Sequence, residues 1–314
     1  MKVLVTGATG FIGNDLVKEL VKKGYDVVSL VRKTSKTDLL EKMGIRYIIC
    51  DMMDPKNTEE AFDRIQPEIV VHAAAQVMGK DEKVLREINV TTTRNIAQAC
   101  WDHSVKRLVY LSSVSVISGN KDVPLSEDLP YKASNAYGRS KIEAERVVID
   151  FRNKGLKTAI VRPCMVYGPE EPHMLDTIFD RIRKKYIPIL CVPEIDSKLH
   201  LAYISNVVEM LILAIEKDEA LEGTFMVADE EAITIRKFLE IAYDEMNHTS
   251  PIAVPAWIVR TCMVIPFFRK EIKGMLKDRV YDISRAKDLL GYAPKISTED
   301  GLRNTIRCWK GTRK

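Results

Sequence analysis

The sequence predicts an α/β chain built on a doubly wound parallel sheet, with a smaller C-terminal substrate domain. Three observations carry that expectation. An apolar run opens the chain and breaks at once into spaced glycines. Short apolar runs then alternate with helical patterns as far as residue 165. A tyrosine and a lysine four residues apart follow the fifth run, at Tyr137 and Lys141.

The first element is Val3, Leu4 and Val5, apolar without alternation, as in a central strand buried on both faces. Gly7, Gly10 and Gly13 follow, while Phe11, Ile12, Leu16, Val17 and Leu20 recur at helical spacing. A strand that turns sharply into a helix needs Gly7 for the reversal, Gly10 for close approach of a ligand and Gly13 for tight packing. The free N–H groups and positive end of that helix would face a pyrophosphate. The spacing is G-x-x-G-x-x-G, a dinucleotide cradle.

Asp26–Val31 reads as the second strand, followed by Arg32 and Lys33 where an acidic residue would otherwise bind both ribose hydroxyls. A missing carboxylate beside two cations predicts a 2′-phosphate, hence NADP in preference to NAD, with NAD left open. Arg46–Cys50 is the third strand, with Asp51 and Met52 at its carboxyl end, where an adenine edge would lie. Glu68–His72 is the fourth, and the small Ala73, Ala74 and Ala75 after it would let a cofactor lie against backbone. Asp54–Ile65 and Val84–His103, the latter containing Asn89, read as helices. Lys106–Leu111 is the fifth strand and runs into Ser112, Ser113, Val114 and Ser115. This alternation implies right-handed crossovers in a parallel sheet.

Tyr137 and Lys141 lie within the helical pattern Ser134–Val148, on one face. Bringing a tyrosine from its ordinary pKa of about 10 to near neutrality takes roughly 4 kcal/mol. A neighbouring ammonium and a positive nicotinamide ring would favour the phenolate. Tyr137 could then exchange a proton with a substrate oxygen while hydride moves to or from the nicotinamide.

With the cradle, the serine-ended strand and this pair in place, the chain resembles the extended short-chain dehydrogenase/reductases, the NAD-dependent epimerase/dehydratase group with its Rossmann fold. The resemblance runs through Thr6–Gly13 (TGATGFIG), His72–Ala75 (HAAA), Ile88–Ile96 (INVTTTRNI), Tyr137–Lys141 (YGRSK), Arg162–Pro169 (RPCMVYGP) and Tyr281–Leu302. It implies Tyr137 as proton donor or acceptor, Lys141 as the residue that lowers its pKa and binds the nicotinamide ribose, and Asn89 in the supporting network. It implies a serine that orients the substrate oxygen, Ser113, with Ser115 as the alternative because SSVSVISG is one residue longer than the usual S-S-x-x-V-Y-G. It also implies a cofactor shell of Gly7, Thr9, Gly10, Phe11, Ile12, Gly13, Arg32, Lys33, Asp51, Met52, Ala73, Ala74, Tyr137, Lys141 and Pro163. A homodimer joined through the helices bearing Asn89 and Tyr137 is expected on the same basis.

Departures from the family patterns narrow the chemistry. Dehydratases carry an Asp-Glu pair where this chain has Val114 and Ser115, so dehydration is not expected. Nucleotide-sugar epimerases have an asparagine near Cys164 or Met165 and a diphosphate-binding arginine near Leu199 or His200. Without it a diphosphate loses its bidentate partner, although Arg260, Arg269 or Lys273 could substitute. Pro251–Phe268 is strongly apolar but broken by Pro255, Arg260 and Pro266, too short for a membrane span of about 20 residues. It reads as a buried helix or as an apolar wall over the substrate that could touch a membrane surface. These features resemble the 3β-hydroxysteroid dehydrogenase and dihydroflavonol reductase branch. The expectation is a secondary alcohol/ketone oxidoreductase acting on a fairly apolar small molecule. The alternatives are a nucleotide-sugar epimerase with tightly bound NAD and a dinucleotide-binding regulator.

The bulk numbers fit. At 314 residues with 46% hydrophobic and 29% charged, the chain can bury a sizeable core as an ordinary globular protein. A net charge of +4 and basic runs near Arg181–Lys185 and Arg303–Lys314, without interleaved aromatics, predict no nucleic-acid partner. Six scattered cysteines predict neither zinc site nor disulfide framework. His72, His103, His173, His200 and His248 show no metal spacing and read as structural or surface residues. The first strand begins at once, without a leader, which predicts a cytoplasmic protein. The expected domains are 1–165 with 206–228 for the dinucleotide and 166–205 with 229–314 for the substrate.

Overall fold

The computed structural model describes residues 1–77, 81–171, 174–183, 197–248 and 278–312. Its central sheet has seven strands: β1 (Lys2–Thr6), β2 (Asp26–Val31), β3 (Arg46–Ile49), β4 (Ile69–His72), β5 (Arg107–Leu111), β6 (Thr158–Pro163) and β10 (Thr224–Val227). Their order in space is β10-β6-β5-β4-β1-β2-β3, every pair parallel. The chain therefore winds outward from β1 through β2 and β3, then crosses back and winds the other way from β4. The crevice at that reversal, beyond the carboxyl ends of β1 and β4, is where such sheets bind ligands.

Side-chain alternation in β1 shows why the sheet is covered on both faces. Val3 and Val5 pack into one core with Leu16 and Val17 of α1 (Phe11–Lys22) and with Val207 and Leu211 of α7 (Ile204–Glu216). Leu4 points the other way, into a second core with Phe62 of α3 (Pro55–Ile65), Ile96 of α4 (Glu82–Asp102) and Val147 of α5 (Ala136–Asn153). Helix starts are set by side-chain caps: Asp54 accepts from the Lys56 amide at 2.9 Å ahead of Pro55, and Asp81 from the Lys83 amide at 2.8 Å. Among the described residues no helix is long and apolar enough to cross a membrane.

Beyond β6 the chain adds short strands: β7 (Met165–Tyr167) pairs with β9 (Leu201–Tyr203), and β8 (Lys198–Leu199) with β11 (Ile233–Thr234). A third core of Tyr167, Phe179, Leu201, Phe238, Leu302 and Ile306 joins these to α6 (Met174–Arg183), α8 (Ile235–Glu245) and α10 (Thr298–Thr312), while α9 (Ser284–Leu290) puts Ala286 and Leu290 into the first core. The buried Asp229 ties this region to the chain end. It accepts from the Tyr203 amide and Asn206 through Oδ1, both at 2.8 Å, and from Tyr167 (2.9 Å) and Thr298 (3.2 Å) through Oδ2. The expected apolar segment Pro251–Phe268, together with Arg260, Arg269, Lys273 and His173, lies outside the described residues.

Candidate active site

The predicted residues meet at the carboxyl ends of neighbouring strands. Gly7 turns the chain at φ +74°, and a Cβ there would stand 2.7 Å from the Ala74 amide nitrogen, so the β1 turn is pressed against the end of β4. A Cβ at Gly13 would stand 2.7 Å from the Gly7 carbonyl carbon, so α1 packs directly on the turn. Above Gly10 only the Gly7 carbonyl oxygen comes near, at 3.2 Å. Gly10 also caps α1 without a side chain, leaving the first-turn amides at Phe11 and Ile12 for an outside acceptor. Open backbone over the positive end of a helix fits a pyrophosphate. Thr9, Phe11 and Ile12 are half-buried here, and the two apolar side chains lean on the C-terminal core.

Along the rim, Arg32 and Lys33 follow β2, are exposed, and have no ion pair among the described residues. Asp51 is exposed after β3, its carboxylate accepting from the Met53 amide at 3.0 Å, whereas Met52 is buried. Asn95 fixes that turn by donating to the Met52 and Met53 carbonyls at 2.9 and 3.2 Å. Ala73 and Ala74 follow β4, and Pro163 ends β6 in a buried position.

A directional network supports the floor. The Thr93 hydroxyl donates to the Asn89 carbonyl at 2.7 Å, so it can only accept from His72 Nε2 at 3.2 Å. His72 Nδ1 then accepts from the Thr6 hydroxyl at 2.7 Å, and Thr6 accepts from the Ala74 amide at 3.1 Å. Burial pushes His72 down to about 3, so the ring stays neutral. Asn89 is buried as well: it accepts from the Gln76 amide at 2.7 Å and donates to the Gln76 carbonyl (3.0 Å) and Ser140 Oγ (2.9 Å). Ser140 in turn donates to the Tyr137 carbonyl at 2.8 Å. Thr6, Thr93, Asn95 and Ser140 are absent from the sequence-predicted set, because their partners are distant in the chain.

The candidate catalytic residues lie where α5 meets the end of β5. Asn135 caps α5 by accepting from the Gly138 amide at 2.7 Å. A Cβ at Gly138 would stand 2.5 Å from the Ser115 carbonyl oxygen, so glycine there lets the turn bearing Tyr137 sit against the serines. Ser113 accepts from the Ser115 amide at 3.2 Å, which leaves its proton for another acceptor. The buried hydroxyls of Ser112 and Ser115 have no partner among the described residues. Lys141, 1% exposed, donates to the Leu111 carbonyl at 2.8 Å and lies 4.2 Å from the centre of the Tyr110 ring.

Burial decides the charge state of this pair, in a direction the spacing does not reveal. Tyr137 is pushed up to about 12 and Lys141 down to about 7. Without a bound ligand the phenol is therefore not near neutrality; the expectation from the sequence rests on the nicotinamide charge as well as the ammonium. Desolvation raises the phenol, and the Lys141 donor is directed at a carbonyl.

Of the two positions expected for a diphosphate-binding arginine, Leu199 is half-buried and His200 is buried. Its Nδ1 accepts from the Tyr281 amide at 3.2 Å, so Nε2 carries the proton and donates to the Asp229 carbonyl at 2.8 Å. Burial lowers its pKa further, and both nitrogens are occupied. On the surface, His103 pairs with the exposed Glu59 at 2.9 Å beside Asp63.

Residues 3–228 match the model of the NAD dependent epimerase/dehydratase family. The chain is similar to UDP-glucose 4-epimerase of Vibrio cholerae, 30% identical over 324 residues that cover 98% of this chain and 95% of the relative. It is also similar to the decarboxylating sterol-4-alpha-carboxylate 3-dehydrogenase of Mus musculus, 26% identical with 100% and 92% covered. Among solved structures, Thermus thermophilus UDP-glucose 4-epimerase in complex with NAD superposes with a TM-score of 0.80, at 27% identity and 99% coverage of both chains.

Proposed function

The chain belongs to the NAD-dependent epimerase/dehydratase family of Rossmann-fold oxidoreductases, and from that premise we propose that it interconverts a secondary alcohol and a ketone on a fairly apolar substrate. The observation that carries the substrate class is at Leu199 and His200: where a sugar-nucleotide enzyme would present a cation, this chain has an apolar side chain and a buried neutral ring with both nitrogens bonded to backbone. An anionic diphosphate would find no charge there. The sterol dehydrogenase among its relatives is in keeping with this reading.

The residues at the strand ends fit a dinucleotide. Backbone at Gly7, Gly10 and Gly13 with the first turn of α1 would hold the pyrophosphate, Asp51 and Met52 the adenine, and Ala73, Ala74 and Pro163 would line the nicotinamide side. Arg32 and Lys33, exposed and without ion pairs among the described residues, suit a 2′-phosphate, which favours NADP. When bound, the cofactor would accept or supply the hydride and bring a positive ring charge in its oxidised form. Ser113 would donate its free proton to the substrate oxygen, and Lys141 would hold the ribose. In reduction Tyr137 would give its proton to the carbonyl oxygen; in oxidation it would take the hydroxyl proton once the positive ring beside it has favoured the phenolate.

The test is to give the purified protein NADPH or NADH with a 3-ketosteroid, and separately UDP-glucose with NAD. Net cofactor oxidation with the ketone and no UDP-galactose is the expected result. UDP-galactose formed without net cofactor turnover would overturn it in favour of the epimerase reading, to which the 30% identical relative lends weight. Cofactor binding with no turnover of either substrate class would point to a regulator.

A further inference from the structure

One buried charge pair lies next to the candidate site without belonging to it. The Glu145 side chain is fully buried, and that of Arg162 is 5% exposed. Arg162 grips the carboxylate in a fork, Nε to Oε1 at 2.9 Å and Nη2 to Oε2 at 2.7 Å, and the Tyr131 hydroxyl donates to Oε2 at 2.7 Å. Three donors, two from a guanidinium, hold this carboxylate in place. Glu145 stands four residues after Lys141 on α5, and both side chains are inside the protein. An ion pair in such a place is a poor way to gain stability, since apolar residues of similar size would serve as well. Its position next to a buried ammonium gives it another use.

We infer that Glu145 is a positioning residue: clamped by Arg162 and Tyr131, its carboxylate keeps the Lys141 ammonium charged from one helical turn away and so sets the pH range in which the chain grips its cofactor. The inference rests on Lys141 holding the cofactor, as proposed above. Among the described residues, Glu145 is the negative charge that acts on Lys141. From β5 come the Leu111 carbonyl and the uncharged Tyr110 phenol, and from β4 the neutral His72. From α5 comes Tyr137, protonated below about 12, and from β6 only Arg162, which is itself held on Glu145. Burial drives the Lys141 ammonium toward neutrality, and the charge that opposes it is that of Glu145. An opposite charge at this separation moves a titration by about one pH unit.

The experiment is a fluorescence titration of NADH, which has no group titrating in the window, from pH 5.5 to 9 against the wild type and four variants. In the wild type, affinity falls as pH rises through the loss of the Lys141 proton. Glu145→Gln should start that fall about one pH unit lower. Glu145→Asp, which keeps the charge, should start it where the wild type does even if it melts earlier. The double variant E145M/R162M removes the pair without stranding a charge, so it reports a shift in the same direction, though a smaller one because the Arg162 cation goes too, if Glu145→Gln does not fold. Wild-type onset in Glu145→Gln or in the double variant would overturn the inference and leave the pair a packing element. Lys141→Met separates the underlying reading: if its binding keeps the wild-type pH dependence, Lys141 does not hold the cofactor and the inference falls with that reading.

Discussion

Replacing Lys141 by methionine tests the electrostatics of the candidate site in the chain alone. Methionine keeps the length and the burial but not the charge. The folded chain holds Lys141 at about 7, against 10.5 for the free side chain. Below pH 7 the ammonium is charged in both states, and the full cost of burying it is present, on the order of 5 kcal/mol. Between pH 7 and 10.5 the unfolded chain keeps a proton that the folded chain has shed. The unfolded state then binds more protons, so stability rises with pH, by about 1.4 kcal/mol per unit. From pH 7, where the folded lysine is half protonated, to pH 9 the wild type should gain about 2.3 kcal/mol relative to Lys141→Met. Tyr137, at about 12, stays protonated throughout that window, and other groups cancel in the difference. The assay is urea unfolding of both proteins without cofactor at pH 7, 8 and 9, checked for equal m-values. Parallel pH dependences would refute the assignment of a depressed, desolvated Lys141.

Other perturbations probe the cradle, the scaffold and the rim. Gly13→Ala pushes a Cβ into the Gly7 turn, so NADH affinity should fall at least tenfold, as read by fluorescence titration; Gly24→Ala, with nothing within 4 Å, should leave affinity unchanged and cost about 1 kcal/mol of stability through its φ of +81°. Asp229→Asn turns an amide toward two of the four donors that the carboxylate accepts, which should cost about 3 kcal/mol in urea unfolding. Arg32→Ala with Lys33→Ala should weaken NADPH binding roughly tenfold or more and leave NADH binding within about twofold, since only the former carries a 2′-phosphate. Equal losses for both cofactors would count against those two side chains as the phosphate site.

Local signals made the β1 turn legible: an apolar run, three glycines and a helical period specify the same strand, turn and helix that the structure builds. Tyr137 and Lys141 were legible as a pair because helical spacing alone puts them on one face. Their charge states were not, since desolvation comes from β5 and its neighbours, which are remote in sequence. The same is true of Glu145 and Arg162. Arg162 opens the motif Arg162–Pro169 and Glu145 lies in the helical pattern Ser134–Val148, yet nothing local says that β6 will pass beside α5 and turn a helix carboxylate, ordinarily a solvated one, into half of a buried pair. His72 and His200 read as structural because no metal spacing surrounded them. The folded chain adds the reason each ring is neutral, which depends on Thr6, Thr93, Tyr281 and Asp229.

The most direct test of the account is single-turnover hydride transfer by Tyr137→Phe, measured beside cofactor affinity. Phenylalanine keeps the ring and removes the one group proposed to carry the proton. The account predicts that nicotinamide oxidation by the ketone slows by about a hundredfold or more while cofactor affinity stays within about threefold. Turnover within tenfold of the wild type, with the cofactor still bound, would contradict it.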